Sequence, residues 1–133
     1  MTIVRDLKGT RGVKALRTAA TNEGDQVATD HVIALTTTPT EEEGRQLAHK
    51  LVEARLAACV QVTSKIQAVY RWKGEIYDEP EWQLWIKTAS DKVDDLVAWL
   101  PKNHSSEVPE LIILPITGGW VTYLDWITAE TRS

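Results

Sequence analysis

Between Ala58 and Thr88 the chain alternates apolar and polar positions for longer than one strand requires, and it does so on both sides of Gly74. On the outgoing arm Val60, Val62, Ile66, Ala68, Tyr70 and Trp72 hold the even positions, with Gln61, Thr63, Lys65, Gln67, Arg71 and Lys73 between them. On the return arm Ile76, Trp82, Leu84 and Ile86 are even, and Glu75, Glu79, Glu81, Gln83 and Lys87 are odd. A period of two marks a strand with unlike faces, so the stretch predicts one long antiparallel hairpin. Partners across such a pair share a face. Matching even to even therefore requires an odd loop, three residues around Lys73 and Gly74, with the glycine in the left-handed bend. Each arm exceeds the usual length of about five or six residues, so the tip is expected to overhang its own domain and pack on another subunit.

The rest of the chain falls around this hairpin. His31 to Thr38 is rich in β-branched residues and reads as a strand. Thr40 to Leu56 reads as a helix, with Thr40 as cap, Glu43 placed for a capping box, and Leu47, Leu51 and Ala54 facing inward. After the hairpin, Ser90 is placed to cap a second helix carrying Val93, Leu96, Val97 and Leu100 at helical spacing, and Pro101 to end it. Leu111 to Ile116 is densely apolar, which predicts a central strand covered on both faces. Gly118 and Gly119 break it, and Trp120, Tyr123, Leu124 and Ile127 predict a C-terminal helix with a buried aromatic face. The order β-α-β-β-α-β plus a helix predicts an α+β, ferredoxin-like fold: a four-stranded antiparallel sheet with both crossover helices on one face. The other face, bearing part of a set that includes Trp72, Trp82 and Trp85, would be left open. An apolar face of that size points to a symmetric oligomer.

Residues 1–29 lack a sustained apolar period and read as a flexible extension, leaving 30–133 as the domain. The extension has five basic and three acidic residues, the remainder ten basic and sixteen acidic. An acidic body argues against nucleic-acid binding, whose affinity comes largely from neutralising phosphates. The single cysteine excludes an internal disulfide, and no apolar run is long enough to span a bilayer. These features predict a cytoplasmic protein without membrane contact, with organelle targeting by residues 1–29 as the minor alternative.

Candidate chemistry is sparse. Cys59 offers a thiolate that would suit soft copper(I), and equally fits a small buried hydrophobe. His104 precedes Glu107 by three residues in a loop between the second helix and the last strand, so an imidazole and a carboxylate could meet there for a metal or a proton relay. The alternative for His104 is a purely structural role. Lys87 with Glu107 and Glu110 could line a cleft between subunits or fix their register. Trp72, with Tyr70 beside it near the tip, could stack on a ligand or anchor an interface. Glu75, Asp78, Glu79 and Glu81 concentrate acid around the tip, which could hold a hard cation weakly or remain solvated.

Several runs resemble the CutA divalent-cation tolerance family. They are Leu56-Ala57-Ala58-Cys59-Val60-Gln61-Val62, the Tyr70-Arg71-Trp72-Lys73-Gly74-Glu75-Ile76 tip, Ile86-Lys87-Thr88, His104 followed by Glu107-Val108-Pro109-Glu110, and Tyr123-Leu124-Asp125-Trp126. The resemblance covers about residues 31 to 130 and implies a homotrimer related in architecture to PII signalling proteins. It also implies a non-enzymatic role in tolerance of copper and other divalent cations, for which His104, Cys59 and Glu107, singled out above by their chemistry, are the candidate metal ligands. Where the family usually has His-Pro-Tyr, this chain has His104-Ser105-Ser106, so an aromatic ring beside the site is missing. The competing reading is a PII-like small-ligand sensor or a trimeric scaffold. An acyl-phosphate hydrolase is disfavoured by the acidic, glycine-free stretch Thr36 to Glu43, and an RNA-recognition domain by the missing basic-aromatic signature.

Overall fold

The computed structural model describes residues 29–133, so the extension expected over 1–29 lies outside the described residues apart from Thr29. Strand β1 (His31–Thr38), helix α1 (Glu41–Glu53), strands β2 (Cys59–Trp72) and β3 (Glu75–Ala89), helix α2 (Val93–Asn103), strand β4 (Ile112–Ile116) and helix α3 (Val121–Glu130) follow in order. The sheet runs β2-β3-β1-β4 and every pairing is antiparallel. This is the ferredoxin-like α+β arrangement. Among the described residues no helix is long and apolar enough to cross a membrane.

The core lies between the sheet and the two crossover helices. Val32 and Ala34 of β1, Leu84 and Ile86 of β3 and Ile113 of β4 meet Leu47 and Leu51 of α1 and Val93, Leu96 and Leu100 of α2. Burying each side chain of leucine size stabilises the fold by ~1.5–3 kcal/mol relative to exposure. Gly44 lets α1 approach closely: a Cβ there would lie 2.9 Å from the buried Thr38 hydroxyl and 3.2 Å from Leu84.

Four local expectations change. Helix α1 ends at Glu53 rather than Leu56, because Arg55 takes a left-handed φ of 62°. The Leu56 amide then reaches back to Leu51 O and the Arg55 amide to Val52 O, a Schellman closure with arginine where glycine is usual. Thr40 does cap α1, accepting from the Glu43 amide, but the Glu43 carboxylate accepts from the Ser105 amide and hydroxyl instead of closing a capping box. Ser90 opens a 3-10 turn and gives its hydroxyl to Thr29 O rather than capping α2. Pro101 lies inside α2, close enough to its end that the missing amide costs at most one intrahelical bond.

Two larger expectations are overturned. Strand β4 is an edge strand, not a central one, with Ile112 47% and Leu114 40% exposed. Pro115 fits an edge, since it has no amide to donate to a further strand. The aromatic face of α3 is not buried within one copy: Ile127 is enclosed, whereas Trp120, Tyr123 and Trp126 are exposed.

The hairpin turn also differs. Trp72 pairs with Glu75 across two residues, Lys73 at φ 52° and Gly74 at φ 85°. Positive φ at both positions is the type I′ signature that matches strand twist. Even therefore pairs with odd near the tip, Tyr70 with Tyr77 for example, while nearer the core Val60 pairs with Ile86 and Val62 with Leu84. A β-bulge between Val62 and Lys65 reconciles the two registers. The Gln83 amide facing the bulge is satisfied by the Thr63 hydroxyl at 3.1 Å.

Candidate functional site

The bulge decides which side chains the hairpin arm shows. Before it, Val60 and Val62 share the helix-covered face with Leu84 and Ile86. Beyond it, side-chain alternation puts Ile66, Ala68, Tyr70 and Trp72 on the opposite face, together with Glu75, Tyr77, Glu79 and Glu81 of β3. On that face Tyr70 stacks on Tyr77 with centroids 5.4 Å apart, and its hydroxyl donates to Glu79 Oε1 at 2.6 Å. Burial, then the Glu79 hydrogen bond and charge, push the Tyr70 phenol well above its ordinary pKa.

The arm lies over the loop that follows α2. Lys73 Nζ is 3.5 Å from Glu107 Oε1 and 5.4 Å from the centroid of the Trp72 ring. Between arm and loop is a cavity of about 220 Å³ lined by Pro39, Tyr70, Trp72, Glu79, Pro80, Glu81, Ser106, Glu107 and Val108. Glu81 is only 4% exposed, so the expectation of a solvated acidic tip fails for this residue. Glu110, further along the same loop, has its carboxyl pKa raised by burial and by the Glu81 charge.

His104 anchors the loop. It is buried, its Nδ1 accepts from the Ser106 amide at 2.9 Å, and its Nε2 is 2.7 Å from Thr37 O. An amide donor at Nδ1 leaves the proton on Nε2, which donates to the carbonyl. Both nitrogens of the neutral ring are thereby engaged, which matches the structural alternative for this residue.

Within one copy the three expected metal ligands do not converge. Cys59 pairs with Lys87 at the far end of β3, whereas His104 bonds Thr37, whose β3 partner is Gln83. Glu107 faces Lys73. Among the described residues no group of three or more His, Cys, Asp or Glu side chains is placed to hold a metal ion. The expected network of Lys87 with Glu107 and Glu110 is also absent within one copy. Six residues of strand, ~20 Å, separate Lys87 from Glu81, and the Lys87 ammonium lies 5.7 Å from the Tyr123 ring centroid. His31 ties β1 to α3 through Thr128 Oγ1 at 2.8 Å, while His49 is exposed.

The sheet face away from α1 and α2 is covered only in part. Helix α3 meets it near Lys87 and His31, leaving Ile112 and Leu114 exposed and Ile33, Leu35 and Trp85 half-buried.

Residues 32–130 match the sequence model of a family described as CutA1 divalent ion tolerance protein. The chloroplastic CutA protein of Arabidopsis thaliana is 36% identical over 120 residues, which are 90% of this chain and 66% of that protein. The divalent-cation tolerance protein CutA of Thermus thermophilus is 39% identical over 99 residues, 74% of this chain and 96% of that protein. The solved structure of CutA from Synechococcus elongatus superposes with a TM-score of 0.75 at 41% identity, covering 78% of this chain and 92% of that one. The chain thus spans just under two thirds of the plant relative and nearly all of the bacterial ones.

Proposed function

The chain belongs to the CutA1 divalent ion tolerance family, and from that premise we propose that it acts without catalysis, as a homotrimer that binds divalent cations such as copper. The match over residues 32–130 to a family described by divalent ion tolerance carries this reading. The half-open sheet face and the exposed Trp120, Tyr123 and Trp126 support assembly, because apolar surface of that extent is unfavourable in water. Since one copy offers no three-ligand cluster among the described residues, the proposed cation draws donors from more than one copy, Cys59 and Glu107 among them. His104 is assigned to holding the Glu107 loop in place, both of its nitrogens being engaged.

Copper titration by calorimetry tests the reading. Saturable uptake by the wild type, reduced by Cys59→Ser or Glu107→Gln, is the expected result. Uptake unchanged in both variants would remove these residues, and no uptake would remove the function. The working compartment is the cytoplasm. The plant relative is named as chloroplastic, so fluorescent fusions with and without residues 1–29 are the direct check.

A further inference from the structure

The half-open face of the sheet is apolar over most of its length, and its acids gather at one end. Ile33, Leu35, Trp85, Ile112 and Leu114 make up the apolar part. Leu84 and Ile86 point into the core, so Glu81, Gln83 and Trp85 of β3 point the other way. Leu111 packs against the core and Ile113 lies in it, which turns Glu110 and Ile112 to the same open face. Thr37 shares that face, across from Gln83, because Val32 and Ala34 face inward. Its hydroxyl is buried and has no hydrogen-bond partner among the described residues. One end of an otherwise apolar face thus carries two carboxyls and a hydroxyl that a single copy does not satisfy.

Burial already acts on the two acids. Glu81 is 4% exposed, and Glu110 is half-buried, its pKa raised by that burial first and by the Glu81 charge second. The cations of the neighbouring elements point or bind elsewhere: Lys65 and Arg71 to the other face of the hairpin, Lys73 to Glu107, and Lys87 to Tyr123 at the far end of β3. His104 is a neutral ring with both nitrogens engaged. Glu79, the other acid of β3 on this side, accepts from the Tyr70 hydroxyl. A second copy laid over the face excludes the water that still reaches Glu110, and ionised carboxyls become the costlier form there.

We propose that the copies close over this face with one proton held by the carboxyl pair Glu81 and Glu110 of each, which makes association proton-linked, firm in mild acid and weaker as pH rises. This rests on the trimer proposed above and adds what governs its closure. The assembled copy keeps a proton that the free copy releases more readily. Association is therefore strongest below the ordinary carboxyl range and falls as pH rises through the raised value, by up to about tenfold per pH unit for each proton released.

Subunit exchange between isotopically labelled and unlabelled protein, followed by native mass spectrometry with a chelator at matched ionic strength, tests the proposal. Between about pH 5 and about pH 8 the wild type is expected to exchange about tenfold faster at the upper end. Glu110→Gln, whose amide does not ionise, should exchange slowly and almost independently of pH, and Glu81→Gln should reduce the slope. Glu53→Gln removes the same charge from the exposed end of α1 and should keep the wild-type slope. A trimer whose exchange does not change with pH overturns the proposal and leaves the trimer, whereas a monomer throughout overturns both. Exchange that quickens toward acid also overturns it, since the second copy would then bring a cation to the two carboxylates. An equal loss of slope in Glu53→Gln would do the same, by assigning the effect to net charge.

Discussion

The two ends of the hairpin obey different physics, although one alternating pattern runs through both. At the root, Leu84 and Ile86 are fully buried under the helices and Val60 and Val62 pack beside them. Beyond the bulge, Val69 is 68% and Ile76 64% exposed, the buried group is instead Glu81, and Tyr70 and Trp72 are half-buried. The root is therefore held by burial of apolar area, and the arm by a stacked tyrosine pair, a phenol–carboxylate hydrogen bond and an exposed ion pair. One inserted residue separates a part that stabilises the fold from a part that presents chemistry.

Substitutions at the two ends should differ accordingly. Leu84→Ala at the root removes a fully buried side chain and is expected to cost ~2–5 kcal/mol in chemical denaturation; a cost below that of any arm variant would break the contrast. His104→Ala leaves the Thr37 carbonyl and the Ser106 amide without their ring partner. It should cost ~1–3 kcal/mol while leaving copper uptake intact, so lost uptake with unchanged stability would return His104 to the ligand set. Thr63→Val, at the boundary, deprives the Gln83 amide of its acceptor and should cost ~1 kcal/mol. A neutral result there would mean that water replaces the hydroxyl.

A pH profile sharpens the arm's side of the comparison. Glu110 has its pKa raised in the fold, by burial first and the Glu81 charge second, so the folded state holds the proton more tightly than the unfolded chain. Stability is therefore expected to fall as pH rises from the ordinary carboxyl range through the raised value, and Glu110→Gln should flatten that segment of the curve. An unchanged profile would show that Glu110 is not its source. The smallest effect is expected for Lys73→Asn. Its ion pair to Glu107 is exposed on both sides, and such pairs contribute ~0–1 kcal/mol, partly offset by the better turn residue. Thermal denaturation should detect little.

Much of the fold was legible because periodicity reports burial directly. The strands, the crossover helices and their order follow from spacing of Leu47, Leu51, Val93, Leu96 and Leu100 and from the alternation around Gly74. What failed was long-range in origin. The dense apolar run at Ile112 to Ile116 suggested a central strand, and strand order in space placed it at an edge. The bulge leaves only a faint local mark, the polar run Thr63-Ser64-Lys65 that puts Ser64 at an even, otherwise apolar position. Its consequence was to move Tyr70 and Trp72 to the face opposite Val60 and Val62 and to pair Trp72 with Glu75. Gly74 after Lys73 is the local signal for the two-residue turn, whereas burial of Glu81 has none, since its strand neighbour Trp82 points to the other face. The engagement of both His104 nitrogens depends on a carbonyl 67 residues away, beyond any local pattern.

A trimer that takes up divalent cations between its copies is what is proposed for this chain. Native mass spectrometry with and without added copper(II) addresses both halves at once. One species at three times the 14.9 kDa chain mass is expected, gaining the mass of bound copper at micromolar metal. A monomer, or a trimer whose mass does not change with copper, would contradict it.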